Sequence, residues 1–233
     1  MELPGELRNK LYIECLFDDD PICIVSKQSS FRRFAKRVPQ WPKKDPYSVN
    51  HNNNNNREQQ HNFKSLVPAI LALSKTIYAE AVPFLYSQRI IVQDNHALLN
   101  LVAALTPLSA ALLHDITITL WSETRAQRSV NFPAMTVLAA RGVTNLTRLN
   151  LDCHVSGDYN PKNVAKQIYR DCYHWLVAVG EAKGNPYAAL DVLKVSEFNF
   201  YSQYGGGKRL NGKELEEAEE EMKQELRNLL NMI

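Results

Sequence analysis

Residues 113–121 read LHDITITLW. Ile116, Ile118 and Leu120 alternate with Thr117 and Thr119, the period-2 signature of a strand with one buried face. The spacing Leu113-x-x-Ile116-x-Ile118 returns as Leu146-x-x-Leu149-x-Leu151 and again as Leu190-x-x-Leu193-x-Val195, at steps of 33 and 44 residues. These patterns predict strands over 115–121, 146–152 and 190–196. Between them, Phe132–Ala140 predicts a short helix stopped by Gly142. Asn160-Pro161 opens a long helix with Val164, Ile168, Trp175 and Val179 inside and a stop near Gly184. Strands joined by helical crossovers imply an α/β fold with a mainly parallel sheet. The L-x-x-L-x-L pattern is the strand pattern of leucine-rich repeats, whose period is shorter, about 20–29 residues. An irregular leucine-rich-repeat-like βα solenoid fits, because stacked units bury one another's faces. Any α/β domain with buried strands is the plainer alternative.

Working upstream, Arg89–Val92 predicts a strand, and Asp94 caps a helix carrying Leu98, Leu101, Val102 and Leu105. Residues 65–87, SLVPAILALSKTIYAEAVPFLYS, have apolar residues at three- and four-residue steps. Two helices meeting near Ser74, an N-cap residue, are expected there, with Pro83 kinking or ending the second. Residues 3–16, LPGELRNKLYIECL, predict an amphipathic helix with Pro4 in its first turn and Leu7, Leu11 and Cys15 on one face. Downstream, a final helix is expected from about Gly212. It carries Leu215, Ala218, Met222, Leu226, Leu229 and Ile233 on one stripe and glutamates opposite. The stripe follows a 3.6-residue period, which favours docking on a globular body over a coiled coil. A cap over the last repeat unit is the first reading and a partner-binding helix the second.

The chain has 233 residues, 27 basic and 25 acidic side chains, a net charge of +2 and 45% hydrophobic residues. That composition excludes a wholly disordered, collagen-like or rod-like chain. The four cysteines form no C-x-x-C pair and are too sparse for a disulfide scaffold. The N-terminus, MELPGELRNK, has no apolar h-region, so no secretory signal is expected. The longest apolar stretch, Leu98–Leu113, is broken by Pro107, and no membrane span is expected. The location inferred is intracellular, cytoplasmic or nuclear.

The balanced total conceals two local asymmetries. Residues 213–227 hold seven glutamates against three basic residues. Residues 27–44 hold seven basic residues and no acidic one. The latter sit in SKQSSFRRFAKRVPQWPKK, where Phe31, Phe34 and Trp41 interleave with Arg32, Arg33, Lys36, Arg37, Lys43 and Lys44. Aromatics stack on bases while cations neutralise phosphate, so this is the candidate nucleic-acid or localisation patch. The near-neutral total argues against nucleic acid as the partner, and a solvated loop is the plainer reading. Downstream lie the five consecutive asparagines Asn52–Asn56, which build no core. Residues 17–63 as a whole read as an insertion, first basic and then Asn-rich, largely disordered.

No G-x-S-x-G, H-E-x-x-H or P-loop pattern occurs. Gly205-Gly206-Gly207-Lys208-Arg209 lacks P-loop spacing. Cys153, His154, Cys172 and His174 are the only metal-like group. Their spacings, adjacent at a strand end and two apart on a helix, make the side chains diverge. The expectation is a non-enzymatic protein with no catalytic residue, metal or cofactor.

Two blocks carry a family resemblance. Leu3, Pro4, Glu6, Leu7, Arg8, Asn9 and Tyr12 form the first; Leu73, Ile77, Tyr78, Glu80, Ala81, Leu85 and Tyr86 form the second. The span from about residue 2 to 92 resembles a large group of fungal proteins with an F-box-like N-terminus. Ser74 and Lys75 stand where that group usually has cysteine and arginine. The resemblance implies an F-box-like helical unit from residues 1–16 and 64–88, followed by a repeat-like domain over 89–233 with a C-terminal capping helix. It also implies a role as substrate adaptor in a Skp-cullin ubiquitin ligase. Leu3, Pro4, Leu7 and Leu11 would then face the Skp-type adaptor or the core beneath, and the repeat-like part would hold an unnamed substrate protein. Nucleic-acid association through residues 27–44 is the alternative function.

Overall fold

The computed structural model describes residues 3–29, 32–38, 66–121, 129–201 and 210–232. In chain order, α1 (Gly5–Leu16) leads into a hairpin of β1 (Ile22–Ser29) and β2 (Arg32–Val38). A 3-10 turn (Pro68–Ala72) and α2 (Lys75–Tyr86) precede β3 (Arg89–Asp94). Then follow α3 (Asn95–Ala104), α4 (Pro107–Ala111), β4 (Asp115–Leu120), α5 (Asn131–Ala140), β5 (Arg148–Leu151), α6 (Pro161–Lys183), α7 (Ala188–Val192), β6 (Leu193–Val195), a 3-10 turn (Glu197–Asn199) and α8 (Gly212–Leu230).

The strands form one six-stranded sheet in the order β2-β1-β3-β4-β5-β6. β1 and β2 are antiparallel, and every other neighbouring pair is parallel. Register aligns two rows of apolar side chains across five strands. One row is Ile22, Ile90, Ile116, Leu149 and Leu193; the other is Ile24, Val92, Ile118, Leu151 and Val195. None of the ten is more than 8% exposed. Burying each contributes about 1.5–3 kcal/mol before entropy is charged against it. The repeated L-x-x-L-x-L positions therefore fall in register, and the leading leucines Leu113, Leu146 and Leu190 are buried on the approach to their strands.

Strand order follows chain order, so right-handed crossovers place the connecting helices on one face. α3 packs on α5, α5 on α6, and α6 on α8. The ends of these helices are set by local chemistry. Asp94 Oδ1 accepts from the Ala97 amide at 2.8 Å and Asn160 Oδ1 from the Lys162 amide at 2.9 Å. Asn211 and Glu214 form a reciprocal capping box. Gly184 ends α6 at φ 63°, a left-handed position that a side chain would strain.

A buried polar cluster joins α3, the end of β4, α5 and α6. The Asp171 carboxylate, 3% exposed, accepts from Trp121 Nε1 at 3.1 Å, Asn131 Nδ2 at 3.2 Å and Gln167 Nε2 at 2.7 Å. Arg170 Nε lies 3.0 Å from its other oxygen, and Asn95 donates to Asn131 at 2.8 Å. The charge is tolerated because its acceptor sites are filled.

Two expectations need correction and a third is narrowed. Residues 17–63 were expected to be a largely disordered insertion, but residues 22–29 and 32–38 are sheet strands. Ile22 and Ile24 belong in the rows above, so the sheet begins well before residue 89. The Asn-rich run, with Lys43 and Lys44, lies outside the described residues, as do Phe31, Trp41 and Gly205–Arg209. Of the two outcomes expected at Pro83, a kink or an end, the end is excluded: the helix continues to Tyr86. The strand expected over 190–196 is shorter, because α7 takes Ala188–Val192.

Candidate functional site

The two N-terminal sequence blocks meet through their polar residues. Arg8 Nε lies 3.0 Å from Glu80 Oε2, and Arg8 Nη2 donates to Glu80 Oε1 at 3.2 Å. Tyr12 OH donates to Glu80 Oε2 at 3.0 Å. Arg8 and Tyr12 are one helical turn apart on α1, so one carboxylate on α2 receives both. Burial raises the Tyr12 phenol above its usual range, and its hydrogen bond to Glu80 adds to this. Below the clamp, Tyr12, Leu16, Ile70 and Ala81 form a small core of their own. The Val67 amide donates to Cys15 O at 2.8 Å and ties the 3-10 turn to α1. Gln88, 5% exposed, closes the base: its amide nitrogen is 2.7 Å from Leu16 O and from Phe84 O, and its oxygen accepts from the Asp18 amide at 2.8 Å.

This arrangement leaves three leucines outside, among exposed polar residues such as Lys10 and Glu14. Leu3 is 55% exposed, Leu7 49% and Leu11 46%. Pro4, also exposed, occupies the N-cap position of α1. The four residues singled out from sequence thus lie on the outer side of α1, away from the Tyr12 and Leu16 side that packs. Sequence periodicity named the face but not its direction.

Among the described residues, the basic stretch does not form one patch. Arg37 pairs with Asp18 at 2.7 Å, joining the hairpin to the chain before β1. Along β2, pleating sends alternate residues to opposite faces. Arg33 and Arg37 therefore share one face, and Phe34, Lys36 and Val38 the other. Arg33 lies on the α3 side, where burial and this arginine's charge lower the His96 pKa, in that order. The backbone of Arg32 is in β2, and its side chain lies outside the described residues.

Of the metal-like residues, the cysteines belong to the core, while His154 is half-buried and His174 exposed. Cys153 and Cys172 are buried, and burial pushes the Cys172 thiol well above its usual range. His174 makes tilted ring contacts with Phe132 and Tyr173, and His154 meets Tyr159 edge-on and Phe198 at a tilt. Among the described residues there is no group of three or more His, Cys, Asp or Glu side chains that could hold a metal ion. None of their helices is long and apolar enough to cross a membrane. A mainly apolar pocket of about 390 Å³ opens between α6 and the end of α8; Tyr173, Glu181 and Asn185 are its polar lining.

The sheet face opposite the helices carries a second surface, which the sequence reading missed. Its residues are non-leucine positions of the repeated pattern on β4, β5 and β6 and their register partners on β3. Arg89, Asp115 and Arg148 stand in one register row, and Ile91, Thr117, Asn150 and Lys194 in the next. Arg89, Arg148 and Lys194 are exposed, Asp115 and Asn150 are half-buried, and Thr117, against which Arg89 lies, is buried at 1% exposure. The available signal was the charge at each pattern's third or fifth place.

Sheet and helices define an α/β protein with a six-stranded, mostly parallel sheet and a small helical unit at its N-terminus. The chain belongs to the family described as a domain of unknown function, DUF7730, which matches residues 1–133. That match runs through β4 to the start of α5 and so includes the first part of the sheet. No curated protein matches the chain, and no solved structure does.

Proposed function

We propose that the chain is a non-enzymatic protein-interaction protein whose F-box-like N-terminal unit docks on a Skp-type adaptor of a cullin ubiquitin ligase. In this reading, the body is a leucine-rich-repeat-like βα solenoid that presents its helix-free sheet face to a substrate protein. The sequential parallel order of β1, β3, β4, β5 and β6 supports the repeat-like arrangement. The observation that carries the adaptor reading is the outward leucine set of α1 and its approach, with Leu3, Leu7 and Leu11 each about half exposed. Their neighbours Tyr12 and Leu16 are 1% and 0% exposed. An apolar stripe on a helix anchored from its other side is the surface a helical groove or bundle receives.

The test is co-purification of the whole chain with a Skp-type adaptor, wild type beside Leu7→Asp. Leu7 is exposed enough for the variant to fold, so loss of association in Leu7→Asp is the expected result. Association that survives the substitution, or a wild type that never associates, overturns the adaptor role.

A further inference from the structure

The cations on the sheet face opposite the connecting helices make few contacts among the described residues. Among the described residues, Arg148 and Lys194 have no ion pair or hydrogen bond, and Arg89 has only a long one, Nη2 to Thr117 Oγ1 at 3.4 Å. Arg8 pairs with Glu80, Arg37 with Asp18 and Arg227 with Glu220. Other exposed cations among the described residues, such as Lys10 and Lys75, stand alone, so what marks Arg89, Arg148 and Lys194 is that they share one sheet face. Three of the four strands β3 to β6 place an exposed cation on this face. The acids there are Asp115, half-buried between the two arginines in register, and Asp152 at the C-terminal edge. The glutamates of the chain are concentrated instead on α8, over the helix layer.

From this we infer that the sheet face binds an acidic, extended segment of a partner protein, with Arg89 and Arg148 as its two anchoring cations. The inference rests on the reading of the body as the part that holds a protein substrate, and it names that substrate's chemistry. Arg89 and Arg148 are two strands apart, about 10 Å at sheet spacing, and three residues of extended chain cover the same distance. A segment crossing the strands meets both guanidiniums when it carries acids at i and i+3. Each then forms a charge-assisted pair with planar, two-pronged geometry. Asp115 between them disfavours an acid at i+1 or i+2, and Asp152 repels at the far edge. Those two carboxylates interrupt the surface for a continuous polyanion, which favours a peptide of spaced acids over a nucleic-acid backbone. Half-buried Ile91 in the next row offers an apolar contact beside the charges.

The experiment uses the full chain alone, without adaptor, so that it stands or falls apart from the co-purification. The probe is a fluorescein-labelled peptide of four Glu-Gly-Ser repeats, followed by fluorescence anisotropy. Wild type is expected to bind it, more weakly as salt rises. Arg89→Glu with Arg148→Glu is expected to reduce affinity at least about tenfold. Arg89→Gln with Arg148→Gln serves as the milder pair if charge reversal perturbs folding, and Lys43→Glu with Lys44→Glu is expected to bind like wild type. A wild type that ignores the peptide overturns the inference. So does binding that survives loss of both arginines, binding lost only in the Lys43/Lys44 pair, or tighter binding of a single-stranded oligonucleotide of matching charge. Adaptor capture with no peptide binding would remove this inference and leave the adaptor reading; the reverse pattern would do the opposite.

Discussion

In the N-terminal helical unit, the core is four residues, Tyr12, Leu16, Ile70 and Ala81, whereas one continuous core runs through the body from Ile22 to Leu226. The two regions also use polar groups differently. The body buries the centre of its polar cluster, Asp171, Asn95, Asn131 and Trp121, beneath α3, α5 and α6, with Gln167 and Arg170 at its outer edge. The N-terminal unit holds its helices together with a clamp that is about one-third exposed, Arg8 36% and Glu80 34%. Leucine placement follows the same division: in the strands of the body leucines face inward, whereas Leu7 and Leu11 on α1, with Leu3 just before it, face outward. A region built this way depends on its neighbour for stability and has surface to spare for a partner.

The largest expected effect comes from breaking the body. Trp175 is fully buried on α6, and its Nε1 donates to Val143 O at 3.0 Å. Trp175→Ala is expected to cost about 3–5 kcal/mol, much of the total stability of a typical domain, read as a lower urea midpoint. Leu16→Ala, at about 2–4 kcal/mol, is the matching cut in the small core. Hydrogen exchange should then accelerate in α1 and α2 while β4 and β5 keep their protection. Loss of protection throughout the sheet in Leu16→Ala would merge the two regions into one cooperative unit.

Polar groups come next. Asp171→Ala strands the buried donors of Trp121, Asn131 and Gln167, and a loss of about 2–4 kcal/mol is expected from urea denaturation. Glu80→Ala removes the clamp's only acceptor, but that pair is partly solvated. Solvent screening limits the expected loss to about 1 kcal/mol, with faster exchange confined to α1. A Glu80 effect as large as that of Asp171 would mean that the clamp is as central to the fold as the buried cluster.

How much of this was legible in the sequence follows from how local each signal is. Ser74, Asp94, Asn160 and Gly184 each mark a helix end by their own chemistry, and each does so in the structure. The L-x-x-L-x-L strands were legible because their apolar positions are two residues apart. The hairpin was not: Ile22–Val25 are buried on both faces, so they give no alternation, and β2 is a cation-rich edge strand, a composition that protects edges but reads as a loop. The clamp left no local trace, because Glu80 is 72 residues from Arg8 and 68 from Tyr12. On α1, periodicity grouped Leu7, Leu11 and Cys15, yet the buried pair is Tyr12 and Leu16, one position round the helix. Direction is decided by what α2 offers, and that is a tertiary fact.

The smallest expected effect is the most informative about that direction. Leu11 and Leu16 sit in the same helix, but one is 46% exposed and the other 0%. Leu11→Ser takes no side chain from the core and leaves no cavity, so its urea midpoint should stay within about 0.5 kcal/mol of wild type. Leucine has the better helix propensity, which accounts for a few tenths of that. A larger loss would place Leu11 against packing in solution, and the outward leucine face would no longer be available to any partner. A silent Leu11→Ser that also weakens adaptor capture would separate the two roles of α1: Leu16 and Tyr12 would hold the helix to the protein, and Leu7 and Leu11 would hold the protein to something else.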